Sequence, residues 1–316
     1  PDAPLWQRWQ GMRQAVRQLR RAVSFDLVAA HFALYTFPVL DQVRDLPLVV
    51  HFHGPWAWEG REEAKGGLQV AVKTWLERTV YRRAVRCIVL SEAFGRELVR
   101  RYGVAPERVR IVPGGVAAER FALPHTRHEA REVLGWPTDR PIVLSVRRLV
   151  RRMGLERLIA AMAEVRRHVP DVLLLIAGRG PLADALQAQI DALGLAQHVR
   201  LLGFVPDEQL PLAYRAADLT VVPTVALEGF GLITLESLAA GTPVLVTPVG
   251  GLPEAVRELT EALVLEEATS EALAAGLIEA LTGRRPLPSD EACRAYVRAH
   301  YDWPVIARRV KAVYEE

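Results

Sequence analysis

Lysine is scarce in this 316-residue chain, and so is cysteine. Only Lys65, Lys73 and Lys311 carry an ammonium, and arginine supplies the other 37 of the 40 basic residues. That skew fits a GC-rich or heat-adapted source as well as phosphate binding, and by itself it decides neither. Cys87 and Cys293 lie far apart, in stretches that read as buried strand and helix. Two such thiols exclude a disulfide framework and a thiolate metal centre, and they fit a reducing cytoplasm. The chain also lacks an Asp-x-Asp motif, a signal-peptide pattern and any apolar run near the ~18 residues that span a bilayer. Its net charge of +3 is small for the length, and no nucleic-acid partner is expected.

What remains is the composition of a folded protein, 50% hydrophobic and 24% charged. At 316 residues the chain exceeds the ~250 at which single cores stop growing, so two domains are expected. It opens on "PDAPLWQRW", without an initiator Met, as a processed or trimmed product or part of a longer one would.

Short apolar runs ("FDLVAAH", "LPLVVHFH", "RCIVLS", "VRIVPGG") alternate with helical segments near 5–22, 61–84 and 92–102. A second series starts at Pro141: "PIVLSV", a helix 154–168, "VLLLIAG", a helix 182–193, "VRLLGFV", a helix 207–216, "LTVVP", a helix after Phe230, "PVLVT", a helix 253–258 and "ALVL". Strand–helix alternation of this kind predicts parallel, doubly wound sheets. The stretch "FALPHTRHEAREVLGWPTDRP" reads as a linker with one helical turn. The expected division is therefore 1–137, with the helix at about 302–316 packing back on it, and 138–301.

Ligands of doubly wound sheets sit at the carboxyl ends of the strands, and the informative motifs follow strands here. In "ALEGFGLITLESLAAGTPVLV" a Gly-Phe-Gly turn opens a helix, so the amides of Gly229, Phe230, Gly231 and Leu232 suit an anion such as a diphosphate. Two carboxylates flank that turn. Either Glu236 accepts hydrogen bonds from a ribose diol and Glu228 from a sugar ring, or Glu236 merely favours a helix start and Glu228 is a solvated loop charge. After "PIVLSV", Arg148 stands at a strand end, where it suits phosphate or forms a surface ion pair. "AGRGP", with Gly178 and Gly180, and "GFV", with Val205, place backbone groups at two further strand ends. His53 in "HFHG" is either a site residue or a strand-end histidine satisfied by backbone.

Taken in order, "HFHGPWAWEG", "VRRLVRRMG", "AGRGP", "LLGFVPDEQL" and "LEGFGLITLESLAAGTPVLVTPVGGLPE" resemble the motif series of the retaining GT-B glycosyltransferases of family four, from about Phe25 to the end. The resemblance implies two Rossmann-like domains facing a cleft: an acceptor-side domain, then one that binds a nucleotide-sugar. It implies that Glu236 holds the ribose, that Glu228 with the amides of Phe230 and Gly231 contacts the donor sugar, and that Gly231, Leu232 and Ile233 hold the diphosphate. Arg148 is implied to bind phosphate, Val205 to meet the base through its backbone, and His53 to lie near the reacting sugar. Metal-independent, retaining transfer of a hexosyl unit from a UDP- or GDP-linked donor, rather than an ADP-linked one, follows from the same resemblance, with no cofactor.

Two departures stand out. The family's lysine before the glycine of the arginine-rich motif is Met153 here, with Arg151 and Arg152 as candidate substitutes. The family's usual first strand, glycine-rich loop and helix are not found at the start of the chain, so the first domain reads as N-terminally incomplete: either a partner chain or a second copy supplies the segment, or the sequence omits it, or the domain has adapted. A non-catalytic or split-enzyme subunit is the alternative to the enzyme. In the first helix Trp6, Trp9, Met12, Val16, Leu19 and Val23 share one face, with Arg13, Arg17, Arg20 and Arg21 elsewhere. Such a helix either packs on its domain or lies on an anionic membrane, which would make a cytoplasmic protein peripheral at the inner face.

Overall fold

The computed structural model describes residues 3–58 and 67–316. Residue contacts divide it into two units, one of residues 1–113 and 308–316, the other of residues 114–307.

In the first unit four parallel strands form one sheet in the order β1 (Val28–Ala30), β2 (Leu48–Phe52), β3 (Arg86–Val89) and β4 (Val109–Ile111). The run "LVVHF" is buried along most of its length because both neighbours pair with it: Val50 lies opposite Ala30 on one side and Cys87 on the other. Helices Gly67–Arg83 and Glu92–Tyr102 supply the core, in which Phe52 meets the rings of Tyr81, Phe94 and Tyr102 at 5.4, 5.6 and 5.9 Å. Ser91 caps the second of these helices and Gly103, at φ +65°, ends it. Residues 61–66 of the expected helix 61–84, and the last two residues of "HFHGPWAWEG", lie outside the described residues.

Helix Leu5–Ala22 forms where expected, but its apolar stripe does not face the sheet. The helix contains no buried residue, and Trp6, Met12, Leu19 and Val23 all point into solvent. The inward face is Trp9, which packs on Phe37, together with Arg13 and Arg20, which grip Asp41 and Asp45. Two bidentate ion pairs hold one edge of the stripe inward, where Trp9 and Val16 are half-buried, and leave the rest of it exposed.

The second unit carries a five-stranded parallel sheet in the order β7 (Val199–Gly203), β6 (Leu173–Ala177), β5 (Ile142–Val146), β8 (Leu219–Val222), β9 (Val244–Val246). Strand β5 is central and covered on both faces, which explains a sequence that is apolar but for the buried Ser145. Helix Leu155–His168 buries Leu155, Leu158, Ile159, Met162 and Val165, an i, i+3, i+4, i+7 stripe, against a core shared with helix Ser270–Leu281.

Two expectations are corrected here. Residues 114–137 belong to the second unit: helix Arg127–Leu134 is bound to it through Arg127 and Arg131, which donate to the carbonyls of Ala217 and Ala216. Arg131 also pairs with Asp218 at 2.6 Å. The "linker" is thus a charge-locked helix that buries Ala130 and Arg131, and the boundary falls after Pro113 rather than at 137. "ALVL" is not a strand either; a 3-10 turn at Glu261–Leu263 leaves Val264 a single bridge to Val246. Among the described residues no helix is long and apolar enough to cross a membrane.

Candidate functional site

In the second sheet the chain passes from β5 to β6 on one side and later returns to β8 on the other, so the strand order reverses beside β5. That is where doubly wound sheets open a crevice at their carboxyl ends. A cavity of about 430 Å³ lies there, lined by residues that follow β5 (Arg147, Arg148), β6 (Gly178, Arg179) and β7 (Phe204, Val205), with Met153 and Ile233. A hollow of similar size, about 450 Å³, opens instead at the amino ends of β5 and β8, beside Pro141 and Leu219, away from the turn and its carboxylates.

Gly178 and Gly180 shape one wall. The amide of Gly178 donates to Gly203 at 2.7 Å, and a Cβ at φ +147° would overlap the carbonyl of Arg147. A Cβ on Gly180 would meet the carbonyl of Leu149. Both positions exclude a side chain because two backbone segments touch there.

The loop after β8 carries the carboxylates. Leu227, at φ +52°, is the one non-glycine residue with a left-handed backbone among the described residues, and it directly precedes Glu228. Its carbonyl accepts from Arg152 Nη1 at 3.0 Å, and the carbonyl of Glu228 accepts from the amide of Gly251 at 3.1 Å. The Glu228 carboxylate is only 13% exposed; it pairs with Arg147 Nη2 and accepts from Thr224 Oγ1 at 3.2 Å. The same Arg147 nitrogen donates to Thr224, while Arg147 Nε is buried without a hydrogen-bond partner.

Beyond the turn, Phe230 is buried against Tyr301, and Gly231 enters helix Leu232–Ala239 at φ +77°. Leu232 and Ile233 hold its first two positions, whose amides have no acceptor within a helix. Thr234 Oγ1, in the same turn, is buried and unpartnered. Glu236 accepts from the fully buried Tyr214 Oη at 2.9 Å. Burial raises the pKa of Glu236, while the Tyr214 hydrogen bond and Arg120 pull it down. The helix is fixed beneath by a buried chain in which Ser237 Oγ lies 2.7 Å from Thr220 Oγ1 and donates to the carbonyl of Thr242 (2.9 Å), and Thr242 donates to that of Tyr214 (2.7 Å).

The expected site residues of this unit therefore gather at one end of one sheet. Arg148, Gly178, Val205 and Ile233 line the cavity, and Glu228, Phe230, Gly231, Leu232 and Glu236 form the adjoining turn. Arg148 is exposed and makes no ion pair among the described residues; it is Arg147, its neighbour, that engages Glu228. Met153 is buried and lines the cavity with its thioether. Of its candidate substitutes, Arg152 is held by Leu227 and Arg151 is exposed.

His53 lies in the other unit, where a separate cavity of about 300 Å³ is lined by His31, Tyr35, His53, Trp56 and Glu77. It is not satisfied by backbone: His31 Nδ1 and His53 Nε2 are 3.0 Å apart, and the rings of His31, His51 and His53 stack. His51 Nε2 meets Tyr314 Oη at 2.6 Å. Burial, then the neighbouring His31 and His53, lowers the pKa of His51 to about 4, and burial with His31 lowers that of His53. Glu77, fully buried on helix Gly67–Arg83, accepts from the amides of Trp56 and Ala57 and from the hydroxyls of Tyr81 and Tyr102. Burial outweighs these donors and pushes it up to about 7. Among the described residues no group of three or more His, Cys, Asp or Glu side chains is placed to hold a metal ion.

The comparisons with known proteins agree with this geometry. Residues 126–300 match the family described as Glycosyl transferases group 1, and residues 1–120 match Glycosyltransferase Family 4. The chain is 35% identical over 200 residues to a GDP-mannose-dependent alpha-(1-6)-phosphatidylinositol monomannoside mannosyltransferase of Mycolicibacterium smegmatis, covering 61% of this chain and 52% of that protein. To the D-inositol 3-phosphate glycosyltransferase of Nocardia farcinica it is 36% identical over 259 residues, covering 78% of this chain and 56% of that protein. The chain spans about half the length of these curated relatives. In structure it is similar to sucrose-phosphate synthase from Thermosynechococcus elongatus (TM-score 0.76, 25% identity, 99% of this chain and 79% of that one). It is also similar to HepE of Anabaena in complex with UDP-glucose (TM-score 0.78, 22% identity, 99% and 83%). Both its sheets are parallel and Rossmann-like, as in these GT-B neighbours, and by the match of more than half its length the chain belongs to the group 1 glycosyl transferases.

Proposed function

We propose that this chain transfers a hexosyl unit from a nucleoside-diphosphate sugar to an acceptor hydroxyl, with retention of anomeric configuration and without a divalent metal. The observation that carries the reading is the pair Glu228 and Glu236 on either side of the 229–231 turn at the switch point. Each carboxylate is held by a buried partner, Arg147 with Thr224 and Tyr214 respectively. Glu236 keeps Oε1 for a ribose diol, and Glu228 with the amides of Phe230 and Gly231 faces the donor sugar. Gly231, Leu232 and Ile233 present the helix start to the diphosphate, Arg148 reaches it from the cavity wall, and Val205 meets the base. As the glycosidic bond breaks, charge grows on the diphosphate, so fixed amides and cations there favour the transition state over the ground state. The leaving diphosphate takes the proton of the acceptor hydroxyl, and His53 stands on the acceptor side.

A UDP- or GDP-linked donor is favoured, because the mycobacterial relative depends on GDP-mannose and the Anabaena neighbour is bound to UDP-glucose. We assign the protein to the cytoplasm. The solvent-facing stripe of helix 5–22 supports contact with the inner membrane face or a second copy. The second reading, a nucleotide-binding but non-catalytic subunit, is favoured by Met153, since loss of one charge-assisted phosphate contact costs about 1.5–3 kcal/mol.

Calorimetric titration with UDP, GDP and ADP tests the donor site. Selective binding, weakened at least about tenfold in Glu236→Ala, supports it; indifference to all three, or to the substitution, overturns it. Sugar transfer with a retained anomeric proton coupling in the product then separates the enzyme from the non-catalytic reading.

A further inference from the structure

The position at which the family's lysine is expected holds Met153, yet the same cavity has three arginines in its wall, Arg147, Arg148 and Arg179. Arg147 follows β5, and its side chain is only 7% exposed. A guanidinium removed from water in this way needs acceptors for all its donors, and this one is short of them: Nη2 is shared between Glu228 and Thr224, and Nε has no partner. Thr234 Oγ1, in the first turn of the neighbouring helix, is buried and unpartnered as well. Two orphaned polar atoms near one turn ask for an acceptor the protein does not provide, and a phosphate oxygen is an acceptor of the right charge.

Resting on the donor-site reading above, we propose that Arg147 takes over the phosphate-binding role vacated at Met153. Before a donor binds, its guanidinium is stored on Glu228. When a nucleoside-diphosphate sugar enters, the guanidinium turns to the diphosphate, and Glu228 exchanges its arginine partner for the hydroxyls of the donor sugar. Charge is conserved: one ion pair is traded for another, and a carboxylate that would repel the diphosphate is released only when sugar hydroxyls are there to receive it. The arrangement makes free nucleoside diphosphate a poorer ligand than the intact donor, because it claims Arg147 while offering Glu228 nothing.

The test compares UDP with UMP, and GDP with GMP, by calorimetry on the full chain. In Arg147→Gln the preference for diphosphate over monophosphate should fall about ten- to hundredfold. Adding Met153→Lys to that variant should restore most of it, and should add little to the unsubstituted chain. A second arm does not depend on losing the arginine: Glu228→Gln should tighten UDP or GDP several-fold while weakening the corresponding sugar-linked donor. A merely structural ion pair would weaken both. An unchanged diphosphate preference in Arg147→Gln, an equal gain from Met153→Lys in both backgrounds, or weaker UDP and GDP binding by Glu228→Gln would each overturn the assignment while leaving the donor site standing. Absence of nucleotide binding by the unsubstituted chain would overturn both.

Discussion

The two units solve the same folding problem to different degrees. In the second, helix Leu155–His168 places six residues in the core, and backbone segments touch so closely that glycine is required where they meet. In the first, helix Leu5–Ala22 buries none, and Leu68, Val72 and Trp75 of helix Gly67–Arg83 face solvent too. The first unit instead buries one carboxylate, Glu77, beside a histidine stack in which His31 and His53 are exposed and His51 is half-buried. The difference teaches that the two units hold their polar groups differently: the second fixes its candidate site with backbone contacts and buried pairs, while the first sets exposed and half-buried histidines beside one buried carboxylate.

The sharpest way to break this comparison is to attack backbone contact in the second unit. Gly178→Ala forces a Cβ into the Arg147 carbonyl at a backbone angle that disfavours it, and should cost about 3–5 kcal/mol, read as a fall in the urea midpoint. A midpoint close to that of the parent would show that the strand ends move apart easily and that the unit is less rigid than its packing implies.

A smaller effect is expected from Glu77→Gln in the first unit, about 1–3 kcal/mol, because an amide turns its own N–H groups toward existing donors. The variant should also change how stability depends on pH. His51, depressed from 6.5 to about 4, takes up its proton first in the unfolded chain, so its contribution is present above pH 6.5 and lost as the pH falls toward 4. Glu77, raised from 4.5 to about 7, contributes below pH 4.5 and loses that contribution as the pH rises through 7. Between pH 4.5 and 6.5 the two slopes oppose each other. Removing Glu77 should therefore make stability rise with pH more steeply than in the parent; parallel profiles would refute the assignment.

The smallest change sharpens the comparison from the other side. Trp6 is 58% exposed, so Trp6→Ser should alter stability by less than about 0.5 kcal/mol. A loss that grows with protein concentration would reveal that the exposed stripe is covered by a second copy.

Much of this was legible beforehand. Apolar runs became strands because both faces of a parallel sheet are covered, and helices 5–22 and 92–102 have the bounds their patterns predict. Glu228, Gly231 and Glu236 were identifiable because a local turn fixes their mutual geometry. Arg147 was not: successive residues at a strand end point to opposite sides, and only the register of β5 decides that Arg147 rather than Arg148 turns to Glu228. Tyr214, His31 and Tyr314 left no local signal, since their partners come from elsewhere in the chain. The helix 127–134 was misread as linker because its anchors, Ala216 to Asp218, lie about 90 residues away in sequence.

Cys87 and Cys293 are each fully buried, one in each unit, and burial pushes both thiols up to about 12. Neither reacts while its surroundings stay closed, since the thiolate is the nucleophile. Each unit thus carries its own clock: the rate at which a thiol reagent modifies Cys87 times the opening of the first unit, and the rate at Cys293 that of the second. Followed with and without nucleotide, the two rates report which half of the molecule the ligand holds shut.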